Sequence, residues 1–260
     1  IMSRDSEYHD AMMTMLELIW GKGFMAPGGT GNVDRMVDGL DLRNKRILDI
    51  GCGLGGPDFH LAEKHGAYTT GIDLEPQLID GALTTVKENG LQSRCDFRLV
   101  EPGPLPFSDQ HFDLVISSGA FTQVPDKRGL FADCSRVLKP GGLVSNYDWT
   151  TPEESVSADM AYFFKLEGLT YALESPETYS ELFQEAGFTD ISVVDGSAWY
   201  RRRSREEYEL IKAQLYPRMK ELMGQQDADH FVENWRAMVI VCEKGELTQT
   251  YVRARKPDSG

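Results

Sequence analysis

The sequence predicts an α/β protein: a doubly wound, mostly parallel sheet with helices on both faces and added helices forming a lid. Three observations carry that prediction. Ile47-Leu48-Asp49-Ile50 runs straight into Gly51, Gly53, Gly55 and Gly56, the pattern of a buried strand that ends in a tight turn before a helix. Asp73 closes a second apolar run at the point where a doubly wound chain brings its second strand beside the first loop. From there apolar runs and amphipathic stretches alternate, the order of successive βαβ units.

Residues 5–20 place Tyr8, Met12, Met15, Leu16, Ile19 and Trp20 at helical spacing, and Gly21-Lys22-Gly23 stops that helix. Phe24 to Gly29 reads as a loop, either packed on the core or lying over a ligand, and a second helix covers about 31–40. The first strand and its glycine loop follow, then a helix over 57–65. Tyr68 to Asp73 is the second strand, 76–89 a helix, and 95–100 the third strand, ending at Glu101. Pro102 to Phe107 is irregular. Phe112 to Ser118 is a fourth, buried strand, and 126–138 an amphipathic helix stopped by Pro140-Gly141-Gly142. Leu143 to Trp149 is the fifth strand. Residues 152–170 form a connection too long for a simple turn, read as a substrate lid. Ser175-Pro176 opens a helix as cap and first-turn proline, and Thr189 to Asp195 is a sixth strand. Helices at about 204–223 and 227–243 precede a last strand at Leu247 to Arg253. No repeat or linker divides the chain. The expected organisation is a single domain over 1–260, with an N-terminal helical lid (1–40), a cofactor-binding core (41–150) and substrate-side elements (151–260).

Composition narrows the function classes. The 260 residues carry a formal net charge of −14, which argues against nucleic acid or an anionic membrane as main partner. No window approaches the roughly 18 unbroken apolar residues of a membrane span, and the start lacks the apolar core of a signal peptide. The cysteines at 52, 95, 134 and 242 have no metal-ligand spacing and read as reduced, buried thiols. The five histidines are scattered, with His60 and His65 expected on the surface of one helix. A cytoplasmic enzyme acting on a small molecule, with no metal, as monomer or homodimer, is the expectation.

The glycines alone fit either a dinucleotide or another nucleotide cofactor. Asp49-x-Gly51-x-Gly53, Asp73 ending the second strand, Phe112-Asp113-Leu114-Val115 and Leu138-Lys139-Pro140-Gly141-Gly142, in that order, resemble a class I S-adenosylmethionine-dependent methyltransferase. The resemblance implies a Rossmann-like, seven-stranded sheet with the last strand antiparallel. It also implies that the glycine loop meets the methionine part of the cofactor, Asp73 the ribose, and Glu101 the adenine, where many relatives carry Asp. More narrowly, Ile19-Trp20-Gly21-x-x-Phe24-x-x-x-Gly28-Gly29 and the stretch from Tyr179 to Phe188 are similar to phosphoethanolamine N-methyltransferases. Phe231-x-x-x-Trp235, Gly245-x-Leu247-Thr248, Ala120-Phe121 and Pro125-Asp126-Lys127 are similar to sarcosine/dimethylglycine N-methyltransferases. The chain departs from both groups after the fourth strand, where their Asp and His are Gly119 and Gln123, and it carries Leu169 where the phosphoethanolamine enzymes hold phosphate with an arginine.

The expected cofactor-binding residues are Asp49, Gly51, Gly53, Leu54, Asp73, Leu74, Glu101, Ser117 and Ser118. Substrate contacts are expected from Phe24, Phe121, Trp149, Tyr171, Trp199, Tyr200 and Arg202, with aromatic faces suited to a cation and the arginine run to an anion. Tyr147, Asp148 and Gln123 are the candidates for orienting or deprotonating the acceptor. Displacement at a sulfonium methyl needs orientation and a dry pocket more than covalent help. An amine acceptor must first lose a proton, whereas a thioether needs no base. The readings are therefore N-methylation of an amine or amino acid of the sarcosine/dimethylglycine kind, S-methylation of a methionine-like thioether, phosphoethanolamine-type N-methylation, and a non-enzymatic S-adenosylmethionine-binding scaffold.

Overall fold

The computed structural model describes residues 10–152 and 156–258; the expected helical residues 5–9, with Tyr8 and His9, and residues 153–155 of the long connection lie outside the described residues. The strands are β1 (Arg46–Ile50), β2 (Tyr68–Asp73), β3 (Cys95–Leu99), β4 (Phe112–Ser118), β5 (Leu138–Thr150), β6 (Thr189–Asp195) and β7 (Thr248–Arg255). They form one seven-stranded sheet in the order β3-β2-β1-β4-β5-β7-β6. β1 to β5 are parallel, and β7 runs antiparallel between β5 and β6. The seven-stranded sheet with an antiparallel last strand is as expected. Strand order reverses between β1 and β4, so a crevice opens at their carboxyl ends, where Ile50 and Ser118 lead into loops.

Helices α2 (Gly29–Met36), α3 (Gly56–His65), α4 (Pro76–Glu88), α5 (Lys127–Val137) and α7 (Pro176–Glu185) flank the sheet. Their apolar sides form cores on its two faces. One holds Leu48, Val115, Phe131 and Phe183, the last two stacked at 4.1 Å. The other holds Ile47, Leu114, Val33, Met36 and Tyr147. Burying each such side chain contributes roughly 1.5–3 kcal/mol, so these cores fix the crevice rigidly. α7 opens as its sequence requires, with Ser175 Oγ accepting from Thr178 N at 3.0 Å and Pro176 in the first turn.

A third core joins the lid: α1 (Asp10–Trp20), α6 (Ala158–Glu167), α8 (Ser197–Leu210) and α9 (Tyr216–Glu243) meet through Met15, Phe163, Tyr200 and Trp235. Here the structure corrects the sequence reading. The connection at 152–170 contains α6, capped by Ser157 Oγ accepting from Met160 N at 3.1 Å and ended by Gly168 in the left-handed region. Arg201, Arg202, Arg203 and Arg205 do not precede a helix but lie inside α8, where Arg203 and Glu207 pair one turn apart. The Pro140-Gly141-Gly142 stop is an irregularity within β5, because Leu138 already pairs with Phe112. The expected break between the two late helices is Gly224, whose non-helical φ of 83° kinks α9.

Candidate active site

The loop after β1 is built from backbone that side chains would block. Gly51, Gly53 and Gly55 take φ values of 75°, 56° and 83°. A Cβ on Gly51 would lie 2.2 Å from Ala120 Cβ, and one on Gly55 would lie 2.6 Å from Phe97 Cζ. Gly53 N donates to Asp73 Oδ2 at 2.9 Å, while Glu75 N donates to Asp73 Oδ1 at 3.1 Å. Asp73 is thus locked to the loop across β1 and β2. Burial raises its carboxyl and these backbone donors oppose the rise. Each carboxylate oxygen still has a lone pair for a further donor.

Beneath the loop, Asp49 and Asp58 are buried against each other, with Thr69 beside Asp58. Burial, then the nearby Asp58, pushes Asp49 well above the carboxylate range; burial raises Asp58 to about 7. Asp58 was not among the expected residues, since its position in α3 reads as an ordinary first-turn acid. Leu54 is buried beside the loop. Ser118 lines the cleft over Gly51, and Ser117 Oγ ties β4 to β1 by donating to Ile50 O at 2.9 Å.

At the outer margin, Leu74 and Leu99 are 52% and 48% exposed at the ends of β2 and β3, strands paired through Asp73 and Leu99. Large apolar side chains left open at adjacent strand ends mark a surface for an apolar ring. Leu99 was missed by sequence reasoning; its strand-end position beside Asp73 was the available signal. Glu101 stands exposed just beyond.

The segment Gly23–Pro27 crosses the loop as a strap. Gly56 N donates to Gly23 O at 3.0 Å, giving the first turn of α3 a cap from outside the helix, and Met25 Cγ lies 3.0 Å from where a Cβ on Gly53 would stand. Phe24, Met25 and Pro27 line the cleft with Gly51 and Ser118. Gly23 N donates to Glu17 Oε1 of α1 at 2.7 Å, tying the strap to that helix.

The turn after β4 links this cleft to the lid. Ala120 presses on Gly51, while a Cβ on Gly119 would be 3.9 Å from Ala26 Cβ and 4.0 Å from Trp149 Nε1. Trp149 packs edge-on to Tyr200 at 4.8 Å, and Tyr171 stacks on Phe164 at 4.8 Å. Among these rings Glu207 is 1% exposed and accepts from Trp20 Nε1 at 2.9 Å, Arg203 Nε at 3.1 Å and Trp235 Nε1 at 3.4 Å. Burial raises its carboxyl against those donors. Glu207 was invisible as a site residue in a helix rich in Arg and Glu. Glu167, also raised by burial, accepts from Asn234.

The structure separates the expected acceptor residues. Trp149, Tyr171 and Tyr200 belong to the lid cluster. Gln123 ends a short 3₁₀ turn (Phe121–Gln123) beside Gly119 and is half-buried. Phe121 is fully buried against Phe131 at 5.5 Å, in the sheet core rather than the lid. Arg202 is exposed on α8. Tyr147 is fully buried with its hydroxyl donating to Gln249, and its ring meets Trp199 at 6.5 Å. Asp148 is 1% exposed, accepts from Tyr179 Oη and from Thr122 N at 3.2 Å, and is raised by burial to about 7. These two residues support the turn from below. His60 and His65, expected on the surface, are half-buried against Asp34, with Nε2–Oδ1 distances of 2.8 and 3.3 Å.

Residues 48–145 match a family described as a methyltransferase domain. The chain is 30% identical over 243 residues to a phosphoethanolamine N-methyltransferase of Triticum aestivum, covering 92% of this chain and 47% of that protein. It spans about half the length of the curated relatives it first matches. The fold matches Haemonchus contortus phosphoethanolamine N-methyltransferase 2, solved with phosphomonomethylethanolamine and S-adenosylhomocysteine, at a TM-score of 0.89 and 25% identity over 97% of this chain and 58% of that one. It also matches a candidate sarcosine dimethylglycine methyltransferase from Galdieria sulphuraria at 0.80 and 19% identity, over 96% and 98% of the two chains.

Proposed function

We propose that this chain, which carries a methyltransferase domain on the class I fold, uses S-adenosylmethionine to methylate the nitrogen of a small amine. The residues present suit that cofactor. The glycine loop leaves a cradle that a Cβ would fill, and Asp73 at its edge keeps acceptor capacity. Gly51 and Gly53 would face the methionine part, Asp73 the ribose hydroxyls, and Leu74 with Leu99 the adenine. When bound, S-adenosylmethionine supplies an electrophilic methyl group on a sulfonium.

The observation that carries the acceptor class is the Gly119-Ala120 turn, which lies between Gly51 and Trp149, whose ring packs edge-on to Tyr200. Aromatic faces favour the positive charge that develops on nitrogen as the methyl group transfers, and such contacts are worth up to about 2 kcal/mol away from water. Gly119 and Gln123 are not bases, so the amine sheds its proton to solvent before the lid closes; Gln123 then orients the lone pair. Tyr147 and Asp148 act as positioning residues under the turn. Orientation and water exclusion are the protein's main contribution, of order 7–11 kcal/mol in favourable cases.

Sarcosine or dimethylglycine is the first acceptor to test, with Leu169 standing where the resemblance expects a phosphate-holding arginine. Phosphoethanolamine is the second reading, favoured by the curated relatives. Labelled donor is incubated with glycine, sarcosine, dimethylglycine, phosphoethanolamine and methionine. An N-methylated product from at least one amine is expected. Product from methionine alone would replace amine by thioether, and binding without turnover on any acceptor would leave a scaffold.

A further inference from the structure

Between α2, the first half of α8 and β7 lies a cavity of about 320 Å³ that shares only Asn32 with the lining of the cofactor cleft. Its other polar side chains are Arg35, Arg203 and Tyr251, with Trp199 as a wall. No Asp or Glu lines it, in a chain that holds 41 of them. The Arg35 guanidinium lies over the rings of Trp199 and Tyr251, at 5.4 and 5.3 Å from their centroids. Its Nη1 makes one long contact, 3.4 Å to Tyr251 Oη, and it has no carboxylate partner among the described residues. Arg203 is held at 3.1 Å by Glu207 and at 3.5 Å by Glu206.

We propose that this cavity is a second binding site, for a small molecule bearing an oxyanion (phosphate or carboxylate) seated on Arg35. Cation–π contact with two rings holds the guanidinium in the cavity without a carboxylate, and a guanidinium has the N–H fork that pairs two-pronged with an oxyanion. The volume lies at the small end of metabolite pockets. Arg203, paired with Glu207 and Glu206 of its own helix, forms wall and leaves Arg35 as the anion's partner. A route to the cofactor cleft is present: Tyr251 Oη donates to Asn32 Oδ1 at 2.6 Å, and Asn32 lines both spaces. An anion that draws on Arg35 and Tyr251 therefore shifts cofactor affinity, and by linkage the cofactor shifts anion affinity equally. The site stands whether or not the methyl-transfer reading does.

Inorganic pyrophosphate and succinate are titrated into the full chain by calorimetry and tryptophan fluorescence, with and without S-adenosylhomocysteine. One anion per chain is expected, persisting with the cleft filled and weakened by added salt. Pyrophosphate preference assigns a phosphate ligand and succinate preference a carboxylate. Arg35→Gln should weaken binding about tenfold or more, with Arg35→Lys in between because it keeps the charge and loses the fork. Trp199→Phe, which leaves both arginines in place, should abolish the fluorescence response and keep binding measurable. No saturation by about 10 mM of either anion, wild-type binding in Arg35→Gln, or simple displacement by S-adenosylhomocysteine would overturn the proposal.

Discussion

Replacing Asp73 by Ala tests the cofactor assignment most directly. The carboxylate is the one side chain that joins the glycine loop to the end of β2, through Gly53 N at 2.9 Å and Glu75 N at 3.1 Å. If it also accepts two ribose hydroxyls, the variant loses two hydrogen bonds to a charged acceptor, each worth about 1.5–3 kcal/mol. Taking the lower half of that sum, about 3–4 kcal/mol, affinity for S-adenosylhomocysteine should fall by a hundredfold to a thousandfold. Some of the loss reflects a loosened loop, and Asp73→Asn separates the two effects. It keeps a carbonyl oxygen for Gly53 N, losing only the charge and one acceptor, and should fall nearer tenfold. Calorimetry on both variants, with melting curves of the unliganded proteins, is the assay. An Asp73→Ala protein that binds within about threefold of wild type would refute the ribose role and with it the orientation of the donor in the cleft.

Two further outcomes follow from buried acids. Glu207→Ala strips the shared acceptor from Trp20, Trp235 and Arg203. It should destabilise the lid by about 3 kcal/mol and speed amide exchange in α1 ahead of the sheet; an unchanged melting temperature would count against the hub. Asp148 is raised from 3.8 to about 7. The folded state therefore holds a proton that the unfolded chain has released, and stability from this group falls as pH rises between those values. Asp148→Asn mimics the protonated form, so its melting temperature relative to wild type should climb from pH 5 to pH 8, whereas a flat difference would remove the shift.

Features that local backbone demands impose are legible in residue type and spacing alone. Gly51 and Gly53 need positive φ, and Asp73 must end a strand to reach the loop, so the chain announces all three. Helix α6 had its signals too, Ser157 before it and Gly168 after it, but its aromatic run Tyr162-Phe163-Phe164 masked them as a mere connection. The remaining gaps are tertiary. Tyr147 and Asp148 looked like site chemistry because strand ends in this fold often supply it, yet the partners that turn them inward, Gln249 and Tyr179, lie 102 and 31 residues away. Glu207 had the opposite fate: one Glu among several on a charged helix, it becomes the centre of the lid only when α1 and α9 bring their tryptophans to it. Asn32 and Arg35 gained neighbours in the same way, from α8 and β7.

The bond between Gly56 N and Gly23 O couples the cover of the glycine loop to the lid. The strap that makes it covers the glycine loop, and the chain around it brings Trp20 and Met25 to the lid core. A lifted strap would take these two side chains from the lid core at the same time as it uncovered the glycine loop. Under the proposed function, a methyltransferase covered in this way is expected to take up its donor first and to release the spent donor last. Product-inhibition kinetics test that order: the demethylated donor should compete with fresh donor and act as a mixed inhibitor toward the acceptor, and competition against the acceptor would refute it.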